Sequence, residues 1–426
     1  MSQSHQTATD PSFGKDVTRS SSPSRLNWRL AVALFIGGIL WIGPYVGSIA
    51  VVMPALVNEV APDERVGLVA TMGLLGAFLS LISNILFGAF SDLTRSRIGK
   101  RAPWILAGSV GTAIGLWGFS TAGDAVSLVV WWCIYMLLLN AIIAPMVAVI
   151  SDRVPVKYRG TVSSIYGVAM VLGAALSQIV GAGYVADPRA GVIVFAVTTL
   201  VSGLIFVVLA PEASNRDAEK KSLNRADIIS SFTFPRKGAR DYYLALFGKF
   251  ALVAGTYSIA AYQLYILTDY IALSQAEAAG IIAVMATIQL VTALIFGFGS
   301  GPVSDHFGRR KPFVILAAAI IGAGALVPFF APSAWAMIVF AVLAGIGNGV
   351  FTSVDQALNI EVLPNKHNAA KDLGILNMAN SGGQMLGPVL TSTVIGITGG
   401  YQYVFIAAFV MLMICCLLIR PIRSVR

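Results

Sequence analysis

The chain has 426 residues, of which 57% are hydrophobic and only 12% charged, with a net charge of +9 at neutral pH. So little charge cannot coat a water-soluble protein of this length, and most of the surface must face lipid. The surplus of Lys and Arg does not indicate nucleic acid, because it is confined to alternate connections between apolar runs.

Residues 1–28 are rich in Ser, Thr and Gln and read as a disordered tail. The apolar run after them is too long for a removable signal and lacks its small-residue cleavage site. Stretches of about 20 apolar residues, enough to cross a bilayer core, then recur at 30–53, 66–90, 103–122, 127–150, 161–183, 191–210, 242–268, 277–300, 313–331, 335–360, 372–396 and 401–419. The expected fold is therefore an all-α integral membrane protein of twelve transmembrane helices. Its first bundle of six occupies 29–211, a polar linker 212–241, the second bundle 242–420 and a short tail 421–426.

With the N-terminus placed in the cytoplasm, Arg25, Arg29, Arg95, Arg97, Lys100, Arg101, Arg153, Lys157, Arg159, Arg309, Arg310, Lys311, Lys366 and Lys371 all fall inside. The outside connections hold only Arg65 and Arg189. Both termini are expected to be cytoplasmic, in a plasma (inner) membrane. Cys133, Cys415 and Cys416 lie within apolar spans and supply neither a disulfide framework nor a zinc spacing. No cofactor or metal is expected. A nucleotide-binding Gly-x-x-x-x-Gly-Lys loop is lacking, which argues against ATP drive, and a nucleophile–base constellation is lacking too, which argues against an enzyme.

The two bundles repeat one another. Gly88-Ala-Phe-Ser-Asp92 matches Gly301-Pro-Val-Ser-Asp305 at an offset of 213. Gly99-Lys-Arg-Ala-Pro103-Trp104 matches Gly308-Arg-Arg-Lys-Pro312-Phe313 at 209, and that offset then pairs Asp152 with Glu361, Pro155 with Pro364, Lys157 with Lys366 and Gly173 with Gly382. Six spans per half make the repeats parallel.

The loop Gly88-Ala-Phe-Ser-Asp92-Leu-Thr-Arg95-Ser-Arg97-Ile-Gly99-Lys100-Arg101 resembles the signature of the major facilitator superfamily, and the copy at Gly301 to Lys311 strengthens the likeness. The longer form through Ala-Pro103-Trp104 is similar to that of sucrose-type and glycoside–pentoside–hexuronide sugar symporters. The Gly-Pro pair near the end of span five, usual in drug–proton antiporters, is absent from Gln178-Ile-Val-Gly-Ala-Gly183. The resemblance implies the major facilitator fold and alternating access. Within it, Asp92 and Asp305 are expected to cap the facing spans eleven and five, near Asp372 and Thr161. Arg95, Arg101, Asp152, Arg153, Arg309 and Glu361 would complete charged gating clusters.

An ionisable group inside the membrane costs roughly 2.5–3.5 kcal/mol on insertion scales, so each needs a reason. Lys249 in span seven and Asp355 in span ten stand at similar depth and are expected to pair, with Asp355 carrying the coupling proton. Polar residues fall into stripes: Lys249, Thr256 and Gln263; Asn348, Thr352, Asp355 and Asn359; Asn377, Ser381, Gln384 and Thr391. The first half adds Trp41, Tyr45, Ser48, Ser80, Asn84, Asn140 and Gln178. From these, Tyr45, Asn84, Asn140, Gln178, Thr256, Gln263, Asn348, Thr352, Asn359, Asn377 and Gln384 are expected to bind substrate, since a ring beside amides suits a sugar. The expectation is a monomeric, proton-coupled symporter of a small polar solute, with a sugar or glycoside favoured. The alternative is a proton-coupled exporter of an amphipathic compound.

Overall fold

The computed structural model describes residues 27–217, Pro235, 239–364 and 369–424, apart from the side chains of Val156, Asp305 and residues 369–371. The tail 1–26, most of the linker 212–241 and the side-chain role expected of Asp305 lie outside the described residues. Twelve helical rods account for nearly everything described. They are α1 (Trp28–Val60), α2 (Arg65–Leu93), α3 (Ala102–Thr121), α4 (Ala125–Arg153), α5 (Arg159–Ala182) and α6 (Pro188–Leu209). The second six are α7 (Arg240–Ala260, continued by short turns to Tyr270), α8 (Gln275–Phe307), α9 (Lys311–Phe330), α10 (Ala334–Glu361), α11 (Ala369–Thr398) and α12 (Gln402–Ile419). Helices are what lipid demands, because each backbone N–H and C=O must then be satisfied within its own segment.

Eleven of these rods, among the described residues, are long and apolar enough to cross a membrane. The twelfth is α11, whose Asn377, Asn380, Ser381 and Gln384 interrupt its apolar run. The protein is a multi-pass membrane protein whose packing order repeats. In the first half α1 packs on α5 and α6, α2 on α4, and α3 on α4 and α6. In the second, α7 packs on α11 and α12, α8 on α10, and α9 on α10 and α12. Adding six to each number in the first set yields the second. The halves meet through α2 with α11 and α5 with α8, two contacts that the same shift interchanges. Parallel repeats related by an axis along the membrane normal produce this pattern.

Two breaks in helical regularity recur. Ser48–Val52 in α1 and Ile266–Tyr270 at the end of α7 are π-helical turns. In α1, Pro54 has no N–H to donate to Ala50, so that carbonyl is left for another partner. The repeated loops turn at Gly99 (φ 89°) and Gly308 (φ 58°), a backbone region open chiefly to glycine.

Candidate transport cavity

Two cavities of similar size lie where the halves meet. One, about 500 Å³, is walled by α1, α2, α4 and α11, with Trp41, Tyr45, Ser80, Asn84, Asn140, Asn377, Ser381 and Gln384 as its polar and ring-bearing side chains. The other, about 470 Å³, is walled by α5, α8 and α10, with Ser164, Gln178, Gln289, Asn348, Thr352 and Ser353. Helices 2, 4 and 11 correspond under the repeat to 8, 10 and 5, so the two spaces are counterparts. No Asp, Glu, Lys, Arg or His lines either one.

The first cavity is partly pre-organised. Asn84 Nδ2 donates to Asn140 Oδ1 at 3.0 Å, and Asn140 Nδ2 donates to Ser80 Oγ at 2.8 Å. Tyr45 Oη donates to Gln384 Oε1 at 2.9 Å, joining α1 to α11 across the halves. Trp41 Nε1 donates to the Tyr166 hydroxyl at 3.1 Å, which fixes the indole as a wall. The space reaches from this level to Gly374, close to the start of α11 at the end of the basic loops.

Lys249 and Asp355 form an ion pair of 2.7 Å, with the side chains 4% and 10% exposed. Asn359 Nδ2 donates to the same Asp355 oxygen at 3.0 Å, and Lys249 Nζ stands 3.5 Å from Asn377 Oδ1. Lys249 therefore does not reach for the membrane surface. The pair sits behind the cavity wall and touches it through Asn377. Three expected substrate ligands do not line either cavity in this state. Asn359 is buried holding Asp355; Thr256 donates to Leu252 O of its own helix, as an isolated hydroxyl in a helix tends to. Gln263 is used by the seal described next.

At the end opposite the basic loops the halves are stitched together. Gln263 Nε2 donates to the carbonyl of Ala50 that Pro54 leaves open (3.2 Å) and to Gln178 Oε1 (3.2 Å). Tyr262 and Tyr265 donate to the carbonyls of Val66 and Pro54, each at 2.7 Å. Arg65 pairs with Asp269 at 2.8 Å and lies 5.1 Å over the Tyr265 ring, while Tyr401 donates to the same Asp269 oxygen at 3.1 Å. The structure is closed at this end. Sequence reasoning passed over Arg65 and Asp269, although Arg65 is one of just two basic residues expected outside.

Among the described residues, a charged cluster at the basic end joins groups of the first half. Arg101, 5% exposed, pairs with Asp92 and, at 2.8 Å, with Asp152, and also donates to Ser91. Lys100 adds 2.9 Å to Asp152. Glu212 accepts from the backbone N–H of Arg101 (2.8 Å) and Ala102 (3.3 Å), capping α3. A Cβ on Gly99 would overlap that carboxylate at 2.2 Å. The Asp92 side chain is 56% exposed and held by Arg101 of its own half, and residues 365–368, just ahead of the helix that it was expected to cap, lie outside the described residues. In the second half Arg310, not Arg309, occupies the hub, donating to Ser304 at 3.0 Å and standing 3.6 Å from Glu361. The 209 offset already maps Arg101 onto Arg310. Arg153 donates to the carbonyls of Ala210 and Pro211 and so ties α4 to the end of α6, and Arg95 is exposed on the loop surface.

Residues 30–284 and 244–425 match the family model described as Major Facilitator Superfamily. The chain belongs to that superfamily. A curated relative, the MFS transporter asaE of Aspergillus flavus, is 30% identical over 164 residues, which cover 37% of this chain and 36% of that protein. Among solved structures, a bacterial homologue of the human lysosomal transporter Spinster, inward-facing and unoccupied, aligns with a TM-score of 0.69 at 15% identity, covering 93% of this chain and 97% of that one. The nucleoside transporter NupG aligns with a TM-score of 0.72 at 14% identity, covering 92% and 99%. At such identities the likeness shows the fold alone.

Proposed function

We propose that the protein moves a small, neutral, polar solute, with a sugar or glycoside favoured, by proton-coupled symport. The observation that carries this reading is the uncharged lining of both cavities, furnished with amides, hydroxyls and two fixed aromatic side chains, Trp41 and Tyr45. A zwitterion or anion would bring charge into a space with no counter-charge on its walls, at a cost of several kcal/mol. A neutral polyol can stack on the rings and exchange its water for Asn84, Asn140, Asn377 and Gln384.

Both termini are assigned to the cytoplasm and the membrane to the cell's plasma (inner) membrane, with the protein acting as a monomer. The state described is then cytoplasm-facing, sealed outside by Gln263, Tyr262, Tyr265, Arg65 and Asp269. Gating falls to Asp92, Arg101, Asp152, Arg310 and Glu361, which regroup when the basic ends approach. Coupling falls to Asp355. In this state Lys249 is its partner at 2.7 Å; when the halves rearrange, a proton takes the lysine's place.

The test uses proteoliposomes with an imposed pH difference and radiolabelled solutes. Methyl β-D-glucoside and related neutral polyols should accumulate against their gradient, while amino acids and dicarboxylates should not. The variant Asp355→Asn should lose accumulation yet retain counterflow. Uptake restricted to charged solutes would overturn the substrate reading, and full pH-driven accumulation by Asp355→Asn would overturn the coupling reading.

A further inference from the structure

A third cavity, about 230 Å³, lies at the seam of the halves between α2, α7 and α11. Its walls are apolar: Ala77 and Phe78 of α2, Leu246, Phe247 and Phe250 of α7, and Met385 of α11. Leu81, Ile375, Met378 and Ser381 line it as well, and all four also line the polar cavity of α1, α2, α4 and α11. The two spaces therefore share a wall of four side chains.

The other flank of the crevice faces lipid. On α2, Leu74, Phe78, Ile82 and Leu86 recur every four residues and all are exposed, the largest exposure being 51% at Phe78. An exposed apolar stripe at helical spacing on a membrane helix is its lipid face. Phe247 on α7 is 54% exposed and lines the crevice as well. The crevice thus stands between the lipid surface and the polar cavity, with Ser381 as its one polar side chain.

We propose that this crevice is the binding site for an alkyl or aryl arm of the transported solute, so that the ligand is a neutral amphipathic glycoside rather than a free sugar. The polar ring occupies the amide-lined cavity and the arm passes beside Leu81, Ile375 and Met378 into the space between Phe78, Leu246 and Phe250. The inference rests on the neutral-solute reading for the nature of the polar part. Each methylene that leaves water for such a wall strengthens binding by roughly fourfold. The arm also touches both halves, since α2 belongs to one and α7 and α11 to the other.

The experiment uses the full chain in lipid nanodiscs and a hexyl β-D-glucoside bearing a diazirine at the end of its alkyl chain. A hexyl diazirine without the sugar, which reaches the protein only from the lipid, supplies the background. Photolysis should label the segments 77–81 and 246–250 at least tenfold more strongly with the glucoside than with the headless probe. Lipid-facing positions such as Val208 and Ile397 should show no such excess. Leu246→Trp, which fills the crevice from α7, should remove the excess, and Met385→Trp should do the same from α11. Equal labelling by the two probes in the wild-type chain overturns the proposal, whatever the variants do. Uptake of methyl β-D-glucoside is measured in parallel. Crevice labelling without uptake would keep the arm site and discard the sugar symport reading. Uptake without crevice labelling would discard the arm site alone.

Discussion

Replacing Asp355 by Asn leaves Lys249 with a charge and no counter-charge. The lysine is 4% exposed, its ammonium stands 2.7 Å from the carboxylate, and its remaining polar neighbour, Asn377, is 3.5 Å away. Removing one partner of a buried pair costs about 3–5 kcal/mol, because the survivor has surrendered its hydration. An exposed pair would lose no more than about 1 kcal/mol. The two cases differ by a factor of about thirty or more in the folding equilibrium. Denaturant unfolding in detergent micelles, followed by the fluorescence of the seven tryptophans, should show the larger loss. The double variant Lys249→Met with Asp355→Leu should recover to within about 1 kcal/mol of the wild type, since an apolar pair of similar volume avoids both desolvation costs. A single-variant loss below about 1 kcal/mol would refute the argument, because it would mean that water, and not Asp355, satisfies Lys249.

Arg101→Ala strips three partners, Asp92, Asp152 and Ser91, from a nearly buried hub and should cost about 3 kcal/mol in the same unfolding assay. Asp92→Asn should slow transport while leaving substrate affinity unchanged in equilibrium binding; lost affinity with normal exchange rates would remove the gate role. At the sealed end Arg65 and Asp269 are 29% and 22% exposed, so Arg65→Ala should favour opening by no more than about fivefold, read as maleimide labelling of Gln178→Cys from outside. Membrane-impermeant maleimide should label Ser274→Cys on intact cells and spare Asp217→Cys, and the reverse result would invert the topology.

The span count and the twofold repeat were legible because both depend on patterns local to the chain. Lipid forces apolar runs of fixed length, and the offsets of 213 and 209 survive in the loops where Gly99 and Gly308 turn. The Lys249–Asp355 pair was legible for a related reason: few charges occur inside the membrane, and two at one depth have few other ways to be satisfied. Thr256, Gln263 and Asn359 have partners that their spacing did not indicate, because a polar stripe shows which face of a helix is not lipid, and no more. Whether that face meets water, a carbonyl or another side chain depends on the neighbouring helix. The hydroxyl of Thr256 is met by its own backbone, Asn359 by Asp355, and Gln263 by a carbonyl that a proline 209 residues away leaves open.

By itself, then, the amino-acid order determined that the chain lives in lipid, that it is two parallel six-helix repeats, and which acids and bases its loops repeat. These follow from hydration free energies summed along a single helix or loop. The tertiary structure decided what no single segment contains: that Arg65 meets Asp269 and the sealed end closes, that Arg101 draws in Asp152 of α4, and that the cavity walls carry no charge. Each of these sets groups from distant spans against one another over a few ångströms, where Coulomb and hydrogen-bond energies are decided and periodicity carries no information.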